Sequence, residues 1–331
     1  RRSVSGFEYR SPISEIHFFI VIPAKAAIYK RSNFIKLPFE TFYPEKNRDK
    51  TLRIQIVEVN CNIQLAYQNM DYLKINRESW NKRTEVHYES EFYDNETFKK
   101  TGNSLNEIEM EFLTEIKGKK VLHLQCHFGQ DSISLSKLGA LVTGVDLSDL
   151  AIEKAQNLAK EMEVDTKFIC SDVYSLPQLH KEQYDYIFAS YGTVVWLPDS
   201  NQWAEVISHF LKPGGKFVFA EFHPVVWMFD DAVDKVVYRY FNAEPIVETD
   251  LGTYTDTKKE IKETCVTWNH SLSEIFNSLK NNGLPVIEFR EYDYSPYNCF
   301  QELEEFEPKK FRFKKHGDKL PMVYALVAQK K

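Results

Sequence analysis

The chain has 331 residues, of which 43% are hydrophobic and 14% aromatic. This composition is enough for one large domain or two modest ones and excludes a disordered protein. The net charge of -6 is unevenly spread, because residues 1–69 carry 11 Lys and Arg against 6 Asp and Glu, whereas residues 70–331 carry 31 against 42. An acidic body disfavours nucleic acid as the main partner, since binding a phosphate backbone requires Lys and Arg to displace its counterions. We therefore expect a small-molecule partner.

The cysteines and the apolar runs indicate the compartment. Five cysteines are scattered along the chain without any C-x-x-C pair, a pattern typical of free thiols in a reducing environment. No apolar run approaches the ~18 residues that a membrane span requires. We expect a cytoplasmic protein that does not cross a membrane, and the sequence leaves its oligomeric state open.

The first 69 residues are patterned unlike the rest. They alternate short apolar runs with basic residues and contain no clear motif, whereas Met70 opens a more regular sequence. We expect residues 1–69 to be an N-terminal extension outside the core and residues 70–331 to form the functional domain. Our hypothesis is that Met70 is the natural start, which peptides from residues 1–69 in the natively expressed protein would disprove.

From residue 104 onward, helix and strand patterns alternate. A helix is predicted over residues 104–115, with Ser104 and Glu107 as a capping box. The following strands are predicted at 120–125, 141–146, 166–172, 184–190 and 216–222, with helices at 131–139, 148–163 and 200–211. Strands that alternate with helices indicate a parallel sheet covered on both faces.

The pattern changes after residue 224. Residues 225–268 are rich in aromatic and alternating stretches, which predict an antiparallel, cap-like insertion. A helix over 271–284 and two strands over 285–294 and 322–329 close the chain. The insertion contributes candidate residues for covering an acceptor pocket, and so does the segment that follows Met70. These candidates are Trp227, Tyr238, Tyr240 and Tyr254 in the insertion, and Trp80, His87 and Tyr88 in the earlier segment.

Candidate ligand-binding residues follow the predicted strands, because an open α/β sheet binds ligands beyond the carboxyl ends of its strands. Asp146 closes one strand, where a carboxylate can accept both hydroxyls of a ribose, although it could also serve the following helix as an N-terminal acid. Asp172 closes the next strand, where it can accept from an exocyclic amine or simply lie in a solvated turn. The two acids together are more specific than either alone.

Four segments resemble the class I S-adenosylmethionine-dependent methyltransferases. They are "VLHLQCHFGQDSISLSKLGALVTGVDLS", "FICSDVYSLP", "YDYIFASYG" and "LKPGGKFVFAEF", and the resemblance covers roughly residues 104–222, with a looser fit at the last two strands. It implies an α/β, Rossmann-like fold: a seven-stranded, mostly parallel sheet with helices on both faces and the last strand antiparallel. It also implies S-adenosylmethionine (SAM) as cofactor and methyl transfer as the activity.

The resemblance also assigns expected roles. Asp146 would bind the cofactor's ribose, Asp172 and Val173 its adenine, and the loop from Leu124 to Gly129 its methionine part. The cofactor-binding candidates are Gln125, Cys126, His127, Gly129, Asp146, Leu147, Asp172, Val173 and Ser190.

The first strand and loop depart from the family pattern at three positions. His123 stands where the family has an acid, and Gln125 and His127 stand where it has glycines. Glycine permits a positive φ and a close backbone approach, so these side chains must reshape the loop or accept strain. The loss counts against a dinucleotide, whose pyrophosphate needs bare backbone N–H groups. The loss of these glycines counts less against SAM, because polar side chains can bind its carboxylate and its ammonium group. His123, however, leaves that ammonium group without an obvious charge partner.

The remaining polar residues bear on metal binding and catalysis. His123, Cys126 and His127 have no fourth ligand nearby in sequence, so we expect no metal and a buried, hydrogen-bonded His123. Methyl transfer needs mainly an in-line approach, and a base only where the acceptor must lose a proton. Tyr191, His223 and His270 are the candidate bases, with Glu221 behind them. His223 is equally compatible with a structural role at its strand end.

Two other functions remain open. A nicotinamide-dependent oxidoreductase would fit the ribose acid, but the glycine fingerprint is missing, and the Y-x-x-x-K spacing of Tyr254 and Lys258 falls in the insertion rather than on a helix. A non-catalytic protein that retains the fold would also explain the altered loop. A nucleic-acid methyltransferase is disfavoured because "FASYG" replaces an N-P-P-Y-like tetrad.

Overall fold

The computed structural model describes residues 71–230, 232–241, 244–255 and 262–331. The predicted extension, residues 1–69, lies outside the described residues. The helices are α1 (Tyr72–Tyr88), α2 (Asn95–Thr101), α3 (Glu107–Met110), α4 (Gln130–Lys137), α5 (Asp149–Glu161), α6 (Leu176–Leu179), α7 (Ser200–Phe210) and α8 (Leu272–Asn281). The strands of the main sheet are β1 (Lys120–Leu124), β2 (Leu141–Asp146), β3 (Lys167–Cys170), β4 (Tyr184–Ser190), β5 (Leu211–Phe222), β8 (Val286–Tyr292) and β11 (Val323–Gln329).

The main sheet has seven strands in the order β3-β2-β1-β4-β5-β11-β8. The first five of these are parallel, and β11 runs antiparallel to both of its neighbours. This confirms the predicted Rossmann-like sheet with its last strand antiparallel. The strand order reverses at β1, which pairs with β2 on one side and β4 on the other, so the carboxyl ends of β1, β2 and β4 define the expected ligand site.

Apolar residues cover the sheet on both faces. One face packs Leu122 and Phe219 against Trp203 of α7, whereas the other packs Val121 and Val218. Successive residues of a strand point to opposite faces, so β1 and β5 each supply both cores. This double burial explains the near-continuous apolar strands from which the parallel sheet was predicted.

The helix before β1 differs from its prediction. It is shorter, and the capping box consists of Asn106 and Glu109 rather than Ser104 and Glu107. Ser104 instead donates its hydroxyl to Asp131 over 2.5 Å. The sequence offered both pairs at the same spacing, and this tertiary contact of Ser104 favours the later one.

In the described ranges, two antiparallel strand pairs lie outside the main sheet. Within residues 225–268, β6 (Ile246–Leu251) pairs with β7 (Lys262–Thr267), and β7 contacts α1 through Asn76, whose side chain exchanges two hydrogen bonds with the backbone of Val266. A second hairpin, β9 (Leu303–Glu307) with β10 (Lys310–Phe313), was not predicted. In the part of the chain that the structure describes, no helix has the length and apolar character of a membrane span.

Candidate active site

The loop after β1 takes an unusual backbone course for its sequence. Gln125 has φ 56°, His127 has φ 51° and Gly129 has φ 80°. The two non-glycine residues therefore occupy the left-handed region, at a cost of about 1–2 kcal/mol each. All three positions thus have the positive φ that glycine favours, although only one of them is a glycine.

Gly129 is retained because a side chain would collide there. A Cβ at this position would lie 2.6 Å from the ring of Phe168 and 3.0 Å from Ala155. The loop is pressed against β3 and α5, and this contact fixes the start of α4.

The backbone N–H groups of the loop are donated within the protein. Cys126 donates to Val145 O over 2.9 Å, and Gly129 donates to Cys126 O over 2.9 Å. The N–H of His127 donates to Asp146 Oδ2 over 2.7 Å. These donors are thereby unavailable to a phosphate group.

Asp146 is held at the end of β2 from two directions. Its Oδ2 accepts from His127 and its Oδ1 accepts from the N–H of Ser148 over 2.9 Å. The side chain remains half-buried, and burial raises the pKa of its carboxyl to about 6. Each carboxylate oxygen has a second lone pair, so a fixed pair of acceptors faces the site.

The other adenosine-side candidates lie on the β2 and β3 side of the loop. Asp172 Oδ1 accepts the N–H of Ser175 over 3.0 Å, which fixes the turn after β3, and Val173 is buried. Leu147 is half-buried and lies between Asp146 and the start of α5. Cys126 is a buried free thiol that packs against Gly144. Asp146, Leu147 and Asp172 keep accessible surface, whereas the Cys126 side chain does not.

Helix α1 covers the loop with aromatic rings. The ring of His127 lies 5.2 Å from that of Trp80, 5.4 Å from that of His87 and 5.3 Å from that of Tyr93. Burial lowers the pKa of His127 to about 3 and that of His87 to about 2, so both imidazoles are neutral at ordinary pH. His87 also lies 4.6 Å from the ring of Tyr254, so members of both predicted covering segments meet above the loop.

Arg83 connects the aromatic residues that cover the loop to neighbouring elements. Its guanidinium lies 5.5 Å from the ring of Trp80 and 5.3 Å from the ring of Trp196, and it forms an ion pair with buried Glu263 of β7. Ser79 donates its hydroxyl to the same carboxylate over 2.9 Å. The Arg83 guanidinium thereby joins α1 to β7 and to the segment after β4.

The segment after β4 is clamped to the loop and to β5. Gln125 Nε2 donates to Thr193 O over 2.8 Å. The buried carboxylate of Glu221 accepts the N–H groups of Gly192, Thr193 and Val194. Ser190, at the end of β4, lies between these anchors and α4, where its hydroxyl is 3.5 Å from Asp131 Oδ2.

Tyr191 contacts a buried carboxyl that the sequence did not single out. Its hydroxyl donates to Glu109 Oε2 over 2.7 Å, and burial raises the pKa of Glu109 to about 7. Glu109 Oε1 accepts the N–H and the side-chain amide of Asn106. A carboxyl that titrates near neutrality is therefore connected to the residue that follows Ser190.

His223 is not brought to the loop. Its Nε2 lies 3.0 Å from Glu291 of β8, its Nδ1 accepts the N–H of Val225, and its ring packs against Tyr324 of β11. These contacts lie on the far side of β5 from β1 and give the side chain a structural role. His270 is also engaged at both ring nitrogens, by Glu274 and by Leu197 O.

Three further candidates from the sequence make contacts with residues outside the loop. Trp227 packs on Phe222 and Phe300, Tyr238 donates to Glu248, and Tyr240 accepts from Leu272. Tyr88 packs on Phe128, which keeps it close to the loop. His123 is buried as expected, and its Nδ1 is 2.8 Å from Ser132 Oγ.

Sequence reasoning missed three charged residues of this region: Arg83, Glu109 and Asp131. Asp131 follows Gly129 by two residues, so its place at the start of α4 was a usable signal. Arg83 and Glu109 depend on long-range packing and gave no such signal. Among the described residues, no group of three or more His, Cys, Asp or Glu side chains is arranged to hold a metal ion.

The strand order, the glycine after β1 and the acid after β2 define a class I methyltransferase fold. Residues 121–215 match the model of the methyltransferase domain family. The resemblance seen in the sequence motifs is thereby confirmed over these residues.

Individual relatives share this part of the chain. The ubiquinone biosynthesis O-methyltransferase of Coxiella burnetii is 30% identical over 119 residues, which is 35% of this chain and 50% of the relative. The enzyme of the same name from Salmonella newport is 27% identical over 135 residues, or 40% and 55% of the two chains. The chain thus spans about half the length of these curated relatives. A SAM-dependent methyltransferase structure from Clostridium acetobutylicum has a TM-score of 0.48 at 16% identity and covers 71% of this chain and 96% of its own.

Proposed function

We propose that this protein is a SAM-dependent methyltransferase that acts on a small-molecule acceptor. The observation that carries the proposal is the geometry of Asp146, whose two oxygens are fixed by the N–H groups of His127 and Ser148 while its side chain keeps accessible surface. A carboxylate held in this way at the end of β2 is a preorganised acceptor for the two hydroxyls of a ribose. Asp172 and Val173, after β3, complete the adenosine side.

The same loop disfavours a dinucleotide. A pyrophosphate needs free backbone N–H groups at the start of a helix. Here the N–H groups of Cys126, His127 and Gly129 are used internally, and Asp131 adds a carboxylate to the first turn of α4. A nicotinamide-dependent oxidoreductase is therefore the weaker alternative.

The aromatic cover suits a cationic cofactor. SAM supplies a methyl group bound to a positively charged sulfonium, and the faces of aromatic rings stabilise cations. The neutral imidazoles of His87 and His127 add no competing charge beside Trp80 and Tyr93.

Tyr191 and Glu109 are the proposed proton acceptors. The Tyr191 hydroxyl donates to a carboxyl whose pKa is raised to about 7, so a proton released by a hydroxyl acceptor can pass through Tyr191 to Glu109. The curated relatives are named O-methyltransferases, which supports an oxygen acceptor. His223 is the second candidate base but lies beside β8 and β11.

Location and domain organisation belong to the same proposal. Four of the cysteines, Cys126, Cys170, Cys265 and Cys299, are free thiols, which supports a reducing, cytoplasmic environment. Tyr254 beside His87 supports a covering role for part of the insertion at 225–268. We retain residues 1–69 as an extension to the functional domain.

Calorimetry with SAM, S-adenosylhomocysteine (SAH) and NAD tests the proposal. We expect SAM and SAH to bind and NAD not to bind. Asp146→Ala should weaken SAH binding at least about 100-fold, because two hydroxyls lose a charged acceptor. Asp165→Ala, which removes an exposed carboxylate in the turn after α5, is the matched control and should change nothing.

Three results would contradict parts of the proposal. Binding of NAD alone would establish the oxidoreductase alternative, and unchanged affinity in Asp146→Ala would refute the ribose assignment. If SAM binds but no SAH forms with a panel of small phenols, amines and thiols, a non-catalytic binding role is favoured.

A further inference from the structure

The ammonium group of SAM needs an anionic or carbonyl partner that the first strand does not supply. His123 occupies the position of the family's acid, is buried, and is engaged with Ser132. Burial lowers the pKa of His123 to about 3, so it is a neutral group and offers no countercharge. The partner must therefore come from another element beside the loop.

Most carboxylates near the site are already committed. Glu221 accepts four backbone N–H groups, and Glu263 is paired with Arg83. Asp146 and Asp172 each anchor a turn on the adenosine side. Glu109 is fully buried behind Tyr191.

Asp131 has a different environment. Its recorded hydrogen-bond partners are the hydroxyls of Ser104, at 2.5 Å, and Ser190, at 3.5 Å, and no ion pair with Lys, Arg or His is recorded for it in the described part of the chain. The side chain is half-buried, yet burial raises the pKa of its carboxyl.

Gln125 supplies an independent observation at the same place. Its Nε2 donates to Thr193 O, which fixes the orientation of the amide. Its Oε1 is buried and has no hydrogen-bond donor among the described residues. A buried acceptor without a donor is costly unless a ligand supplies one.

Both groups bridge the same two segments. Gln125 begins the loop after β1 and Asp131 lies in the first turn of α4. Their side chains reach Thr193, in the segment after β4, and Ser190, the last residue of β4. The methionine part of SAM is expected between these segments. An ammonium group has three N–H donors, which matches a carboxylate together with a lone amide oxygen.

We propose that Asp131 and the Gln125 carbonyl together bind the α-ammonium group of SAM, with Asp131 replacing the acid that is absent at position 123. This inference rests on the proposed function. Asp131 is a positioning residue: it holds the amino-acid end of the cofactor and thereby orients the sulfonium methyl group toward the acceptor.

Ligand truncation separates this role from a general effect on the site. Asp131→Asn keeps the shape of the side chain and a hydrogen-bonding oxygen for Ser104, but removes the charge. By calorimetry we expect it to bind SAH about 10- to 100-fold more weakly than the wild type does, because a charge-assisted hydrogen bond is lost. Binding of methylthioadenosine, which lacks the amino-acid end, should change less than about 2-fold.

Two controls complete the experiment. Asp165→Asn makes the same chemical change at an exposed position and should leave both ligands unaffected. Thermal unfolding of Asp131→Asn without ligand checks that the variant is folded.

The outcomes distinguish this inference from the proposed function. Equal losses for SAH and methylthioadenosine, or no loss for either, would overturn the assignment of Asp131 while the wild type still binds SAH. If the Asp131 variant binds SAH as the wild type does but transfers methyl groups more slowly, Asp131 acts on the methyl acceptor. That result would also overturn its assignment to the ammonium group. If the wild type binds neither SAM nor SAH, it is the proposed function that fails.

Discussion

Glu221→Gln tests whether a single buried carboxylate organises the segment after β4. Glu221 Oε1 accepts the N–H groups of Gly192 and Phe222, and Oε2 accepts those of Thr193 and Val194 together with the Thr193 hydroxyl. Four of these five hydrogen bonds have donor–acceptor distances between 2.7 and 3.1 Å. One side chain therefore accepts three consecutive backbone N–H groups of this turn, those of residues 192–194, together with the N–H of Phe222.

The size of the stability loss follows from the NH2 group of glutamine, which cannot accept hydrogen bonds. Whichever way its amide turns, the NH2 group faces two backbone N–H donors, so at least two charge-assisted hydrogen bonds are lost at about 1.5–3 kcal/mol each. Removing the buried charge offsets part of this loss, because burial raises the pKa of Glu221 and thus disfavours its charged form. We expect the free energy of unfolding to fall by about 2–4 kcal/mol.

Denaturant unfolding measures this change, and calorimetry with SAH measures its effect on the site. Cofactor binding should weaken as well, because Thr193 O also receives the amide of Gln125. Glu288→Gln, at an exposed position of β8, is the matched control and should change stability by less than about 0.5 kcal/mol. If Glu221→Gln behaves like this control, the carboxylate does not hold the segment and our reasoning is wrong.

Two further predictions concern Glu109 and the anchor of α1. Burial raises the pKa of Glu109 to about 7 from 4.5, so its contribution to stability is fully present below about pH 4.5 and is lost as the pH rises through 7. The unfolding free energy of the wild type should therefore fall by about 3 kcal/mol relative to Glu109→Gln between pH 4.5 and 8, and parallel pH profiles would contradict this. Arg83→Met should destabilise the protein by about 3–5 kcal/mol, because Glu263, whose side chain is 0% exposed, keeps an uncompensated charge. In a double-mutant cycle, adding Glu263→Gln should recover much of this loss of stability. Additive effects of the two substitutions would disprove the coupling.

The alternating strands and helices of the parallel part of the sheet were predictable because their signals are local. The strands of the parallel part are apolar on both faces, each helix between them begins at a polar residue such as Ser148, and residues 121–215 carry the family's motifs. Residues Asp146 and Asp172 could be placed for the same reason, since a strand end is visible in sequence. The hairpin of β9 and β10 was missed because short exposed strands carry little periodic signal.

The side chains that surround the loop were less predictable. Tyr93, Tyr254 and Arg83 come from segments far apart in sequence, and they meet only because α1 crosses the carboxyl edge of the sheet. His223 illustrates the opposite error, because it follows a strand end as a catalytic residue would, but its ring turns toward Glu291 and Tyr324. Position along the chain identifies the edge of the sheet, whereas the direction of a side chain depends on packing.

The loop after β1 shows how a glycine-poor sequence can keep a glycine-type backbone. Gln125 and His127 hold positive φ angles at a cost of about 1–2 kcal/mol each, and each obtains a contact that glycine could not make. Gln125 reaches the segment after β4, and the ring of His127 packs within a set of aromatic side chains on α1 and its neighbours. The strain is thus compensated by the elements that cover the site, so weakening that cover should loosen the loop as well. The contacts of Gln125 and His127 therefore join the loop directly to the elements that cover it.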